Sequence, residues 1–130
     1  MQVAGRVRTA LETGSYLRSG LRSFPRGACG DASRLLGIYL ESLGLGKWTY
    51  VQGQAGGQRF ATHAWVEQDG LIVDITADQF DDVAEPVIVT RDRSWHDRRF
   101  PPVRHSSMWL APTDVLLVEY EILLGALDRE

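Results

Sequence analysis

Three residues of this sequence have the side chains needed for nucleophilic catalysis by a thiol. Cys29 is the only cysteine, and it follows the glycine-containing loop Arg26-Gly27-Ala28. A thiolate is a good nucleophile, but a cysteine needs a base or a cation close by to ionise at neutral pH. His63 is the candidate base, and Asp74 is the candidate carboxylate that would fix the orientation of the imidazole ring. The three residues predict a small cysteine enzyme.

The surroundings of Cys29 favour a reactive thiol over a cysteine that only packs the interior. A lone cysteine excludes an internal disulfide and a zinc or iron–sulfur site made of several cysteines. We expect a helix to begin at about Cys29, where free N–H groups would favour the thiolate and could hold a developing oxyanion. Gly27 and Gly30 leave the backbone beside the sulfur accessible to a substrate. A packing cysteine would explain the residue type but not these glycines.

His63 and Asp74 fall on two successive predicted strands, at about Thr62–Gln68 and Leu71–Ile75. The Asp69-Gly70 pair between these strands suits a type I′ hairpin turn. Because adjacent strands lie about 4.8 Å apart, a hydrogen bond between the aspartate and the histidine is sterically possible. The hairpin therefore predicts that the two side chains lie near each other.

Two features of this hairpin leave alternatives open. Counting outward from the turn does not place Asp74 directly opposite His63 without a bulge or a longer loop, and Asp78 competes for the orienting role. Strand alternation also places His63 on the face opposite to Ala64 and Val66. If Ala64 and Val66 face the core helix, His63 points away from it, and a surface histidine is the alternative interpretation.

The order of predicted elements indicates an α+β fold in a single domain spanning residues 1–130. Hydrophobic periodicity, β-branched content and glycine or proline breaks define the elements. Residues 91–112 are rich in Arg, Pro, Ser and His and are expected to be irregular. Besides the two hairpin strands, we predict helices at Val3–Ser23, Cys29–Leu43 and Thr113–Leu127, and strands at Lys47–Gln52 and Pro86–Thr90.

Composition and charge restrict the partners and the compartment. The chain has 130 residues, 24% of them charged, and a formal net charge of −3, which does not favour nucleic acid or an anionic membrane as partner. No apolar run approaches the roughly 20 residues that span a bilayer. The N-terminus has no apolar signal core, so a cytoplasmic location is the default expectation.

Three motifs resemble the transglutaminase-like superfamily, a branch of the papain-like cysteine enzymes. They are Gly27-Ala28-Cys29-Gly30-Asp31, His63-Ala64-Trp65-Val66-Glu67 and Val73-Asp74-Ile75-Thr76, the last with Ile75 where proline is common. The resemblance implies a papain-like core with N-terminal helices on a mainly antiparallel sheet. It also implies that Cys29 is the nucleophile, His63 the general base and Asp74 the orienting carboxylate. More distantly, through Arg26-Gly27-Ala28-Cys29, the chain resembles arylamine acyltransferases. The short domain also resembles the leader-peptide proteases of lasso-peptide biosynthesis, which use the same core.

The sequence departs from papain-like proteases at the oxyanion hole. Those enzymes place a glutamine shortly before the cysteine, and this chain has no glutamine between Gln2 and Cys29. The second donor, beside the Cys29 N–H, is therefore expected from a later segment. Gln52, Gln54 and Trp48 are the candidates, and Trp65 is a candidate wall of the substrate cleft.

The predicted function is an amide-directed cysteine hydrolase or acyltransferase, namely a peptidase, a glutamine deamidase or a transglutaminase. Its expected partner is a peptide or protein substrate, and no cofactor is implied. The alternative is a catalytically idle papain-like module that binds a protein. His96, His105 and Asp97 match no standard metal-site spacing, so no metal is predicted.

Overall fold

A computed structural model describes residues 2–13, 29–55, 61–100, 106–109 and 114–128 of the chain. Within these ranges, four helices and five strands follow one another in the order α1, α2, β1, β2, β3, β4, α3, β5 and α4, with a short 3₁₀ turn at Ala77–Gln79 between β3 and β4. The helices are α1 Gln2–Thr13, α2 Cys29–Ser42, α3 Ser94–Arg99 and α4 Asp114–Asp128. The strands are β1 Thr49–Ala55, β2 Ala61–Gln68, β3 Leu71–Asp74, β4 Ile88–Thr90 and β5 Ser106–Trp109.

The strands form one sheet in the order β4-β3-β2-β1-β5, and every neighbouring pair is antiparallel. The β2–β3 hairpin turns at Asp69 and Gly70, whose φ angles of 50° and 81° are both positive. Two successive positive φ angles are the signature of the type I′ turn that Asp-Gly favours. The α+β class and this hairpin are confirmed.

Side chains are buried on both faces of the sheet. On one face α2 lies over β2 and β1, and α1 and α4 pack beside it. This main core includes Leu35, Leu36, Leu40, Val66 and Val73. On the other face a second cluster contains Val51, Trp65, Ile72 and Phe100, with Phe80 and Trp95 packed against it. His63 belongs to this second face, which is covered by side chains from α3 and from the segment after β3.

Several predicted boundaries differ from the structure. Residues 91–112 were expected to be irregular, which was wrong, because α3 and β5 form within them. α1 covers the first part of the helix predicted at Val3–Ser23, and residues 14–23 lie outside the described residues. The predicted helices at Cys29–Leu43 and Thr113–Leu127 agree with α2 and α4 to within a residue. No helix in the described ranges is long and apolar enough to cross a membrane.

Candidate active site

Cys29 is the first residue of α2 and is partly exposed. The next residue, Gly30, lies under the side chain of Tyr50 in β1, where an added Cβ would be 3.3 Å from the Tyr50 hydroxyl. Arg34, one turn further along α2, stacks its guanidinium over the Tyr50 ring at 4.4 Å. The glycine therefore allows β1 to approach the helix start closely, and the thiol sits at this junction.

His63 is the third residue of β2, and its side chain has no exposed surface. It pairs across the sheet with Gly53 of β1. Aromatic rings surround the imidazole, with the Phe80 ring centroid at 5.0 Å and the Phe100 centroid at 5.4 Å. The alternative of a surface histidine is therefore excluded for this structure.

Asp74 ends β3 and is also fully buried. The hairpin register pairs Val66 with Val73, so the next step along the strands brings Asp74 level with Trp65. Asp74 is thus diagonal to His63 on the same face of the sheet, a position from which side chains still meet. The distance from His63 Nε2 to Asp74 Oδ2 is 2.6 Å. No bulge is needed, because the diagonal offset brings the two groups together.

Asp78 does not contact His63. Its carboxylate accepts two hydrogen bonds from the guanidinium of Arg8 in α1, at 2.6 and 2.9 Å. Arg8 also donates to the Ile75 carbonyl at 2.8 Å and to Glu12 at 2.6 Å. Of the two aspartates left open by the sequence, Asp74 is therefore the one beside the imidazole, while Asp78 ties α1 to the segment after β3.

Asp74 accepts a hydrogen bond on each carboxylate oxygen. The backbone N–H of Thr76 donates to Oδ1 at 3.1 Å, and His63 donates to Oδ2. Burial opposes ionisation of this carboxyl, but the charge and hydrogen bond of His63, together with the hydrogen bond of His96, hold the pKa of Asp74 well below its usual range. An ionised carboxylate can only accept, so the nitrogen of His63 that faces it carries a proton.

The environment favours a protonated His63. Burial by itself lowers the pKa of His63, but the charge and hydrogen bond of Asp74 and the hydrogen bond and charge of Cys29 raise it to about 9. The contribution of Cys29 to this shift indicates that its thiol lies near the imidazole. His63 therefore sits between a carboxylate at Nε2 and a sulfur, the arrangement expected of an imidazole that takes a proton from a thiol.

Two further residues reach this site that the sequence did not assign to it. His96 of α3 lies 2.8 Å from Asp74 Oδ2, the same oxygen that His63 contacts. Gln79, in the 3₁₀ turn, places its Nε2 3.3 Å from His63 Nδ1. Both contacts span more than ten positions of the chain. No local pattern in the sequence signals either contact, because both join residues that are distant in the chain.

Of the four candidate substrate-binding residues, the glutamines lie on the face of β1 that carries Tyr50. Strand alternation places Gln52 and Gln54 on that face. The Tyr50 hydroxyl donates to Gln52 Oε1 at 3.2 Å, so this hydrogen bond does not use the amide N–H groups of Gln52. Burial raises the pKa of Tyr50, the charge of Arg34 opposes this rise, and the charge of Cys29 adds to it, so the tyrosine lies near the thiol. Gln52 is therefore the glutamine bonded to the tyrosine beside the start of α2.

The two tryptophans are placed differently from the expectation. Trp48 is 1% exposed, its indole N–H donates to the Leu45 carbonyl, and its backbone N–H donates to Glu41 near the last turn of α2. It therefore lies at the helix end opposite to Cys29. Trp65 has no exposed surface and packs against His96, with ring centroids 4.6 Å apart. Neither indole has the exposed surface that a substrate contact requires.

His63, Asp74 and His96 are also the described residues that could hold a metal ion, because their ligand atoms lie within 4.8 Å of one another. The nitrogen–oxygen distances of 2.6 and 2.8 Å argue for hydrogen bonds instead. Two ligands of one tetrahedral zinc, each about 2.0–2.1 Å from the metal, lie about 3.3 Å apart. The three side chains would have to separate to admit an ion.

Comparison of the chain with family models, with curated proteins and with solved structures gives no match. The function is therefore argued from the chemistry of the site.

Proposed function

We propose that this chain is a cysteine-dependent amide hydrolase or acyltransferase with a papain-like, transglutaminase-like core. The observation that carries the proposal is the buried His63–Asp74 hydrogen bond of 2.6 Å, together with the contribution of Cys29 to the raised pKa of the same imidazole. The start of a helix, one strand of a hairpin and the end of the other strand supply the three residues. The motifs around them support the same reading.

The chemistry begins with a proton transfer. The thiol of Cys29 gives its proton to His63, and the resulting imidazolium is stabilised by the Asp74 carboxylate at Nε2. The sulfur then attacks the carbonyl carbon of an amide, and the negative charge that develops on oxygen is stabilised by hydrogen-bond donors. The Cys29 backbone N–H and the Gln52 amide are the candidate donors.

The tetrahedral intermediate collapses when the C–N bond breaks. His63 donates its proton to the departing nitrogen, so the amine leaves in neutral form and the acyl group remains on Cys29 as a thioester. Water then attacks the thioester while His63 accepts a proton from it, which releases the acid and restores the thiol. An amine in place of water would give transamidation. Hydrolysis is the simpler of the two outcomes because its acceptor is water.

Thiol reactivity tests the proposal with the whole chain. We expect iodoacetamide to alkylate Cys29 at pH 6–7 at least about tenfold faster than it alkylates free cysteine, because the imidazolium supports the thiolate. Because the chain has one cysteine, Cys29→Ser is a complete labelling control. His63→Ala should remove the rate advantage while the protein remains folded by circular dichroism.

The competing possibility is a papain-like module that binds a partner without catalysis. A Cys29 that reacts no faster than the model thiol, or a His63→Ala variant with unchanged labelling, would establish that possibility and overturn the enzyme proposal. For an active protein, Cys29→Ala used as a substrate trap, followed by mass spectrometry of retained peptides, would identify the substrate class.

A further inference from the structure

Two imidazole rings contact a single oxygen of Asp74. His63 Nε2 lies 2.6 Å and His96 Nε2 lies 2.8 Å from Oδ2, and all three side chains are at most 1% exposed. Since the carboxylate is ionised and can only accept, both nitrogens carry protons and donate them. The carboxylate thus receives three hydrogen bonds, two on Oδ2 and one from Thr76 on Oδ1.

Packing alone does not account for a histidine at position 96. The ring is enclosed by aromatic neighbours, with the Trp65 centroid at 4.6 Å and the Trp95 centroid at 4.8 Å. In such surroundings a phenylalanine would avoid the cost of burying two ring nitrogens. His96 Nδ1 has no hydrogen-bond partner among the residues that the structure describes. The polar contact with Asp74 is the feature of His96 that a phenylalanine could not reproduce.

We propose that His96 is a positioning residue of this site, which holds the Asp74 carboxylate in the orientation that fixes the His63 ring. The inference rests on the proposed function of Cys29 and His63, and it extends the site from three residues to four. Rotation of a carboxylate about its last side-chain bond meets only a broad, low barrier. The hydrogen bonds from Thr76 to one oxygen and from His96 to the other fix the plane of the carboxylate even without the hydrogen bond from His63.

The reaction needs this fixed plane because the imidazole moves protons in two directions. It must face the sulfur first and the leaving amine afterwards, and an orienting partner that rotates would let the ring turn away. The hydrogen bond that His96 makes is to Asp74. His96 therefore acts through Asp74 and is not itself a catalytic residue.

Two substitutions of His96 separate positioning from packing. His96→Phe keeps the ring but removes the donor, while His96→Gln loses the ring but keeps an N–H near the position of Nε2. If His96 positions Asp74, iodoacetamide should alkylate Cys29 in the His96→Phe variant about tenfold more slowly than in the wild type, as expected for loss of a partner that orients an imidazole. His96→Gln should stay within about threefold of wild type. A packing role predicts the reverse order, because phenylalanine fills the space better. Arg98→Ala, an exposed change on the same helix, is the control.

Nuclear magnetic resonance provides a second test, and its first measurement uses the unmutated protein, so it does not depend on how variants fold. The chain has three histidines, so ¹⁵N-histidine labelling gives a simple spectrum. We expect two imidazole N–H protons at low field that exchange slowly with water, one from His63 and one from His96. In His96→Phe the His63 signal should broaden through faster exchange, and in His96→Gln it should remain sharp.

The outcomes distinguish this inference from the proposed function. A single low-field signal, or a His96→Phe variant at least as reactive as His96→Gln, would overturn the positioning role even if Cys29 is highly reactive. Two low-field signals with the predicted response to both substitutions would support it even if Cys29 proves unreactive, in which case the proposed enzymatic function would fail alone.

Discussion

Arg8 and Asp78 form a two-point ion pair between α1 and the segment after β3. Arg8 Nη1 lies 2.6 Å from Asp78 Oδ1, and Arg8 Nη2 lies 2.9 Å from Oδ2. This parallel arrangement uses both carboxylate oxygens of Asp78. This ion pair decides between the two aspartates that the sequence left open as partners of His63. Asp78 is bound to Arg8, whereas Asp74 faces the imidazole.

Substitution of each aspartate should have a different effect. In Asp74→Asn the pKa of His63 should fall from about 9 toward its ordinary value, because the charge that raises it is removed. In Asp78→Asn the His63 titration should be unchanged, while the free energy of unfolding should fall by about 2 kcal/mol through loss of charged hydrogen bonds to Arg8. Imidazole chemical shifts against pH and urea unfolding measure the two effects. An Asp78→Asn variant that moves the His63 titration would contradict this division of roles.

Stability should decline between pH 6.5 and pH 9. Because the pKa of His63 is raised from 6.5 to about 9 in the folded protein, its stabilising contribution is complete below pH 6.5 and is lost as the pH rises through about 9. The decline should be on the order of 3 kcal/mol. The lowered pKa of Asp74 adds a loss of stability on the acid side, as the pH falls below 3.8.

Urea unfolding at half-unit intervals from pH 5 to pH 9.5 measures this profile. His63→Phe is the control, since it removes the titrating group and should flatten the decline above pH 6.5. Equal stability at pH 6.5 and pH 9 in the wild type would show that the His63–Asp74 ion pair does not form in solution.

Gln52 and Gln54 should differ in acyl transfer although they share a strand face. Gln52→Leu should slow the release of p-nitrophenol from p-nitrophenyl acetate by at least about tenfold, because acyl transfer builds an oxyanion that loses a donor. Alkylation by iodoacetamide should be unaffected, since displacement at carbon generates no oxyanion. Gln54→Leu is the matched substitution and should alter neither rate. If Gln54→Leu is the slower variant, the assignment of the donor is wrong.

Two glycine-to-alanine substitutions should change stability in opposite directions. Gly70 has a φ of 81° in the hairpin turn, so Gly70→Ala should cost about 1–2 kcal/mol of unfolding free energy. Gly5 lies in α1 with no atom within 4 Å of an added Cβ, so Gly5→Ala should gain about 0.5–1 kcal/mol. Thermal or urea unfolding of each variant measures the change in its free energy of unfolding. Destabilisation by Gly5→Ala would indicate that α1 packs differently in solution.

The sequence alone indicated the parts of the site whose signals are local. The start of α2 at Cys29, the turn at Asp69 and Gly70, and the strands that carry His63 and Asp74 follow from short-range patterns. A helix start, a type I′ turn and strand alternation each depend on a few neighbouring residues. The hairpin also predicted that Asp74 and His63 lie near each other.

Tertiary structure decided which groups surround the imidazole. That His63 is buried depends on Phe80 and Phe100, which are distant in sequence and cover the second face of the sheet. That Asp74 and not Asp78 contacts it depends on Arg8, about seventy positions earlier in the chain. The contact of His96 with Asp74 could not be predicted from the sequence, because α3 has six residues, too few to show a helical period, and because Asp74 is 22 positions away. Local patterns place residues on elements, but only the packing of both sheet faces determines which side chains meet.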